Sequence, residues 1–314
     1  MTGYLFESTD ASAPVLSSTA GDRQSLLRAV LINGYGAKSG LGWTEEYSSG
    51  TTSVFKNAGT GHFLWVDDAQ ADGAACAMYE NMTGVLESTG TKRNPINATY
   101  YLHIRNADGP AMPWKIIGDD KGFWFMCQNR YTQSGVQSIL WTSHFFGDYE
   151  PWNTTNRWNS MLFGQLSTYS ANLSNYTQMY TNDDDYYYIM RKHSSGEFEP
   201  DLGGNLTVYP GLYQTTGVYY NYSGNMDYFI GDAHILCPIY LAEYGVIPSI
   251  RITKASDGMR KSDWDTITTD PAECQDEFTF TYGDKGYKFL MHLGNGRYFY
   301  NAYKYGAGWR YGQN

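Results

Sequence analysis

Positive charge is scarce in this chain and is nowhere concentrated. Lys and Arg number 22 against 32 Asp and Glu, the net charge is −10, and no run of basic residues occurs. Nucleic-acid binding through a basic patch is therefore excluded, because phosphate contact needs clustered Lys and Arg. Charge of either sign is sparse too: charged residues make up 17% of 314 residues and hydrophobic residues 42%, which is too apolar for disorder throughout. Long apolar runs are missing, and no stretch of about 18 uncharged, apolar residues occurs, which a membrane-spanning helix needs. Met1–Asp10 lacks the basic region and apolar run of a secretory signal, so the expectation is a soluble protein made in the cytoplasm. Cys76, Cys127, Cys237 and Cys274 are too widely separated for a zinc site, and they read as buried thiols, with disulfides as the alternative. The histidines are never paired at metal-ligand spacing. No phosphate-binding loop and no nucleophile elbow occurs, and Gly34-Tyr35-Gly36 follows a helix where a dinucleotide fingerprint would follow a strand. These absences leave no catalytic residue, no cofactor site and no metal site to assign; enzymatic activity and a structural divalent metal are not expected.

What the chain has in excess is tyrosine, at 29 residues, beside 34 glycines and 9 tryptophans. Aromatic residues fit a pleated, half-buried surface, and tyrosine and tryptophan also suit wet interfaces. The pattern predicts a β-rich α+β protein with mostly antiparallel twisted sheets and two short helices in the N-terminal half. A strand pair is expected over 51–56 and 62–66, joined by Asn57-Ala58-Gly59-Thr60-Gly61. Alternation predicts a half-buried strand over 99–104. The clearest hairpin joins 114–118 to 122–127 through Asp119-Asp120-Lys121-Gly122, whose residues tolerate turn angles. Further strands are expected at 138–146, 161–166 and 186–191. A break in composition near 200 divides a first region, 1–200, from a β-rich C-terminal region, 201–314, that ends in a meander. Asp67-Asp68, Asp119-Asp120 and Asp183-Asp184-Asp185 lack the spacing of a calcium loop and are expected to be solvated. The Asn-x-Ser/Thr sequons read as chance in a chain without a secretory signal.

The helices are expected over 25–33 and 71–82. In the first, Ser25 or Asp22 would cap the start, Leu26, Leu27, Val30 and Leu31 form an apolar face, and Asn33-Gly34 ends it. The second is suggested by a run rich in Ala and Met.

The order of several motifs resembles a family of tailed-bacteriophage virion structural proteins. They are Val30-Leu31-Ile32-Asn33-Gly34-Tyr35-Gly36 and Gly42-Trp43-Thr44, with Ala13-Pro14-Val15-Leu16 upstream. Phe63-Leu64-Trp65-Val66-Asp67-Asp68 resembles a family strand that carries a basic residue where this chain has Trp65. Ala77-Met78-Tyr79-Glu80-Asn81-Met82-Thr83 resembles a family helix, and Pro113-Trp114 through Asp119-Asp120 and Phe123-Trp124-Phe125 resembles a family hairpin; the likeness spans roughly residues 13–200. It implies a structural subunit of a phage particle, in the neck, collar or tail, assembled in the host bacterial cytoplasm into the virion. Its partners would be copies of itself in a ring and neighbouring virion proteins, with no membrane and no nucleic acid. The alternative is a receptor- or glycan-binding virion protein such as a fibre, collar fibre or whisker; an enzyme degrading host polysaccharide comes third. Candidate interface residues are Tyr4, Phe6, Tyr35, Trp43, Trp309 and Tyr311. Both chain ends, aromatic and without strong periodicity, are expected to be mobile in the free subunit and ordered on neighbours in the particle.

Overall fold

Alternating apolar residues and glycine-bearing turns build the described part of this protein mainly from antiparallel strands. The computed structural model describes residues 4–70, 73–94, 100–105, 111–133, 136–151 and 159–168. It also describes strand segments 185–189, 203–205, 229–230, 233–234, 237–241, 245–254, 279–282, 285–292 and 297–301. The elements are β1 (Tyr4–Glu7), α1 (Asp22–Arg28, running on into a π-helical turn, Ala29–Asn33), β2 (Thr44–Ser49), β3 (Thr52–Lys56) and β4 (Phe63–Gln70). Then come β5 (Gly73–Met82), β6 (Gly90–Asn94), β7 (Tyr100–Arg105), β8 (Trp114–Gly118), β9 (Gly122–Gln133), β10 (Val136–Asp148), β11 (Glu150–Pro151) and β12 (Ser160–Thr168).

The sheet has two wings. One runs β1-β8-β9-β10-β12, the other β7-β5-β4-β3-β2, and β6 also pairs with β5. Strand β12 joins them: Ser160–Phe163 pair with β10, and Leu166–Thr168 pair with β7. Period-two alternation sends Ile116, Phe123, Phe125 and Phe146 of one wing, and Phe55, Leu64, Val66, Cys76 and Ile104 of the other, into one apolar cluster. Leu26, Leu27, Val30 and Leu31 enter the same cluster at 0% exposure, so the expected helix face is the buried one. A second cluster on the opposite face of the β3–β4–β5 wing holds Val54, Trp65, Ala75, Ala77, Tyr79 and Tyr101.

The hairpin β8–β9 forms in the expected register, with Asp119 Oδ1 accepting the amides of Lys121 and Gly122 at 3.0 and 3.2 Å. The other strands expected up to residue 168 also form. Several expectations need correction. The stretch expected as a second helix is strand β5, so among the described residues there is one α-helix. Ala74, Cys76 and Met78 face the main cluster, and Ala75, Ala77 and Tyr79 face the second. A strand buried on both faces shows no alternation, and its small residues mimic a helix former.

The helix start also differs. Gly21, at φ 92°, precedes the helix and offers no side chain. The cap comes from β4: Asp68 Oδ2 accepts the amides of Arg23 at 2.8 Å and Gln24 at 3.1 Å. Its other oxygen receives Arg23 Nη1 at 2.6 Å, both side chains being fully buried. Asp68 and Asp119 are thus buried, not solvated as expected, because each satisfies backbone donors that would otherwise be orphaned. At the helix end, Gly34 takes φ 73°, and a Cβ there would lie 2.1 Å from the Lys38 carbonyl oxygen, which explains the glycine.

The N-terminal stretch is not an arm. Tyr4–Glu7 pairs with β8 in the chain's own sheet, Phe6 opposite Ile116. Across position 200, Gly203–Asn205 pairs with Asp185–Ile189, and Gly245–Lys254 pairs with β11. The C-terminal meander expected from the sequence appears as Thr279–Tyr282, Lys285–His292 and Arg297–Asn301, paired in succession. Residues 206–228, 255–278 and 302–314, within the region expected to be β-rich, lie outside the described residues.

Candidate functional site

Of the six candidate interface residues, Phe6 and Trp43 lie in the interior. Phe6 is fully buried and Trp43 is 2% exposed; the Trp43 indole donates to the Asp119 carbonyl at 3.0 Å and its ring meets Phe123 edge-on. Both are packed inside the chain and have almost no exposed area. Tyr4 stands opposite Gly118 in the sheet. Trp309 and Tyr311 lie outside the described residues.

Tyr35 belongs to a clasp over the outer edge of β1. Its hydroxyl faces Asp10 Oδ2 at 2.9 Å and the Glu7 carbonyl at 3.3 Å. Lys38 Nζ donates to the Leu5 carbonyl at 2.7 Å and to Asp10 Oδ2 at 2.5 Å. Asp10 Oδ2 also accepts the Glu7 amide at 2.8 Å. Burial acts to raise the Asp10 carboxyl, but hydrogen bonds from Lys38, the Glu7 amide and Tyr35 hold it below the usual carboxylate range. Burial, then Asp10, pushes the Tyr35 phenol well up. The outward-facing Leu5 carbonyl and both Glu7 backbone groups are therefore taken, which closes this edge to strand addition.

A sizeable concavity lies on the opposite face of the other wing. It is an open cleft of about 550 Å³ bordered by Ser49, Thr52, Trp65, Asp67, Tyr101 and the loop from Val85 to Ser88. That volume falls in the range of small-molecule sites. Strands β2, β3, β4 and β7 supply the rigid floor, and the turn after β5 supplies the wall. Trp65 donates its indole N–H to the Val85 carbonyl at 3.0 Å and packs 5.8 Å from the Tyr101 ring. Glu87 is held from three sides. Tyr79 and Tyr101 donate to its two oxygens at 2.7 and 2.6 Å, and Arg93 Nε donates at 3.1 Å. The Arg93 guanidinium lies 4.6 Å from the Tyr101 ring centroid. Burial first, and Glu87 second, pushes the Tyr101 phenol up to about 12, so it remains a donor throughout the physiological range. Leu86 stands on the rim at 65% exposure.

Sequence reasoning did not find this cleft. Its one visible signal was Trp65, an aromatic residue where the resembled strand carries a basic one. Glu87, Arg93 and Tyr101 share no spacing that would have linked them; sheet pairing through β5 brings them together. Compared with known proteins, the chain matches no family model, no curated protein and no solved structure.

Proposed function

We propose that this chain is a non-enzymatic structural subunit of a tailed-bacteriophage particle, in the neck, collar or tail, acting by oligomeric assembly. The observation that carries this proposal is the order of the motifs over residues 13–200. Their placement supports it: the Val30 to Gly36 motif ends the helix, Gly42-Trp43-Thr44 leads into β2, and Phe63–Asp68 forms most of β4. Pro113-Trp114 through Phe125 forms the β8–β9 hairpin. Several matched positions, among them Val30, Leu31, Trp43, Leu64, Val66, Trp114, Phe123 and Phe125, lie in the main cluster, whereas Val15 is exposed and Tyr79–Met82, matched to a family helix, lies in strand β5; we assign the fold to the β-rich α+β class. Closed rings arise from head-to-tail contacts between unlike surfaces, and with the β1 edge clasped, such contacts involve other faces. Immunogold labelling of purified particles with an antibody to this chain tests the proposal. Label at a fixed level of the neck or tail is expected, and its absence from intact particles refutes the assignment.

The cleft favours a second reading, a receptor- or glycan-binding virion protein. A glycan array probed with the purified chain separates the two.

A further inference from the structure

The large sheet is closed at one edge and open at the other. Its path ends at β1 on one side and at β2 on the other. Lys38, Tyr35 and Asp10 clasp β1, whereas β2 pairs with β3 and with no other strand among the described residues. Ser49 stands opposite Thr52 across the two-residue turn Gly50-Thr51, so these two bond each other and Ser48 turns its amide and carbonyl outward. Neither group of Ser48 has a hydrogen-bond partner among the described residues. Thr44, Glu46, Ser48 and Ser49 are exposed, so the edge lies open to solvent. It carries neither Pro nor Lys, two residues that commonly blunt a free edge. The irregularity in its pairing, between Glu45 and Tyr47, leaves Tyr47–Ser49 in regular register.

Charge sets the kind of strand this edge accepts. Glu45 is answered by Arg28 at 2.7 Å, but the exposed Glu46 carboxylate receives the Thr44 hydroxyl at 2.7 Å and no cation among the described residues. A strand bearing Lys or Arg is favoured there over an acidic one. The chain itself contains such a stretch. After Asp284 it has no Asp or Glu, and residues 285–314 carry five Lys or Arg in a protein of net charge −10. Within that stretch, Tyr303-Lys304-Tyr305 and Trp309-Arg310-Tyr311 alternate aromatic and basic residues, the period of a strand. Residues 302–314 follow directly on the strand Arg297–Asn301. At roughly 3.3 Å per residue they span about 40 Å when extended, enough to match β2 and leave a connector.

Resting on the assembly reading, we propose that the open β2 edge of one copy accepts residues 302–314 of a second copy as an added strand, its cations drawn to Glu46. The contact joins unlike surfaces, so each copy both gives and receives, and repetition closes a ring.

Analytical ultracentrifugation of the full chain at low and high salt tests this. Concentration-dependent association is expected, weaker at high salt. Ser48→Pro deletes the outward amide and spares the bonds to β3, since Pro is tolerated where an edge strand's N–H faces solvent. It should raise the dissociation constant about tenfold or more with the thermal midpoint unchanged. Lys304→Glu combined with Arg310→Glu should do the same, and adding Glu46→Lys to that pair should restore part of the loss. These charge reversals carry the test by themselves should Ser48→Pro lower the midpoint. Mixed together, Ser48→Pro and the Lys304→Glu/Arg310→Glu variant should form a one-to-one complex, because each keeps the half that the other lacks. A folded Ser48→Pro that associates like the parent, or reversals with no effect on association, would overturn the proposal while leaving assembly intact. Loss in Ser48→Pro alone would give the edge to another occupant, such as a second β2. A parent that does not associate would overturn the proposal outright, and particle labelling in the immunogold experiment would then show the structural reading surviving it.

Discussion

Acid should destabilise this protein through one buried histidine. His144 stands opposite Phe125 on β9, its ring 6.4 Å from Phe146, and is fully buried. Neither ring nitrogen has a hydrogen-bond partner among the described residues. Burial, reinforced by His103, pushes the imidazole down from 6.5 to about 3. A base with a depressed folded-state pKa binds its proton in the unfolded chain first. Stability is therefore intact above about 6.5 and is lost as pH falls from there toward 3. At pH 4 the unfolded histidine is almost wholly protonated and the folded one hardly at all. The gap is about 2.5 pH units, or about 3 kcal/mol at 1.36 kcal/mol per unit. The perturbation is His144→Leu, which removes the titrating group and leaves an apolar side chain in an apolar site. The assay is urea unfolding, followed by tryptophan fluorescence, at pH 7 and pH 4. Carboxylates elsewhere contribute alike to parent and variant and cancel in the comparison. The parent should lose about 3 kcal/mol more than His144→Leu between the two pH values. Equal losses would refute the placement of a neutral, unpartnered imidazole in the core.

Other outcomes follow from the same structure. Leu27→Ala should lower unfolding free energy by about 2–5 kcal/mol in the same assay, because Leu27 is fully buried in the main cluster; an unchanged midpoint would mean that the helix is peripheral. Asp68→Ala should cost about 3–5 kcal/mol by leaving Arg23 buried without its carboxylate, whereas Arg23→Met combined with Asp68→Leu should recover much of that loss; additive losses in the double variant would contradict a coupled pair. Hydrogen exchange on the purified chain should show strong protection over Tyr4–Glu7, since this segment is a paired strand, and rapid exchange there would restore the expectation of a mobile N-terminal arm. Asp10→Asn should reduce stability at neutral pH but not in strong acid: a carboxyl held below its usual 3.8 stabilises the fold above that pH and loses the effect as pH falls below it.

Local rules sufficed where a segment carries its own turn residues or its own periodicity. The β8–β9 hairpin was legible because Asp119 and Gly122 encode their own turn, and the helix face because Leu26, Leu27, Val30 and Leu31 recur at helical spacing. Gly34 announced the helix end because only a residue without Cβ fits so near the Lys38 carbonyl. Tertiary structure decided the rest. Residues 73–82 form a strand because pairing between β4 and β7 buries both faces, outweighing the helical preference of Ala and Met. The helix cap comes from Asp68, 45 residues from Arg23, a separation no local capping rule spans. The N-terminal aromatics, which alone would suit a docking arm, became a clasped edge strand once Lys38 and Tyr35 reached its carbonyls. The cleft likewise exists only where separate strands converge on Trp65 and Glu87. Short-range chemistry fixes turns and helix ends, whereas burial on two faces, remote capping and a shared cavity depend on which distant strands the sheet makes neighbours.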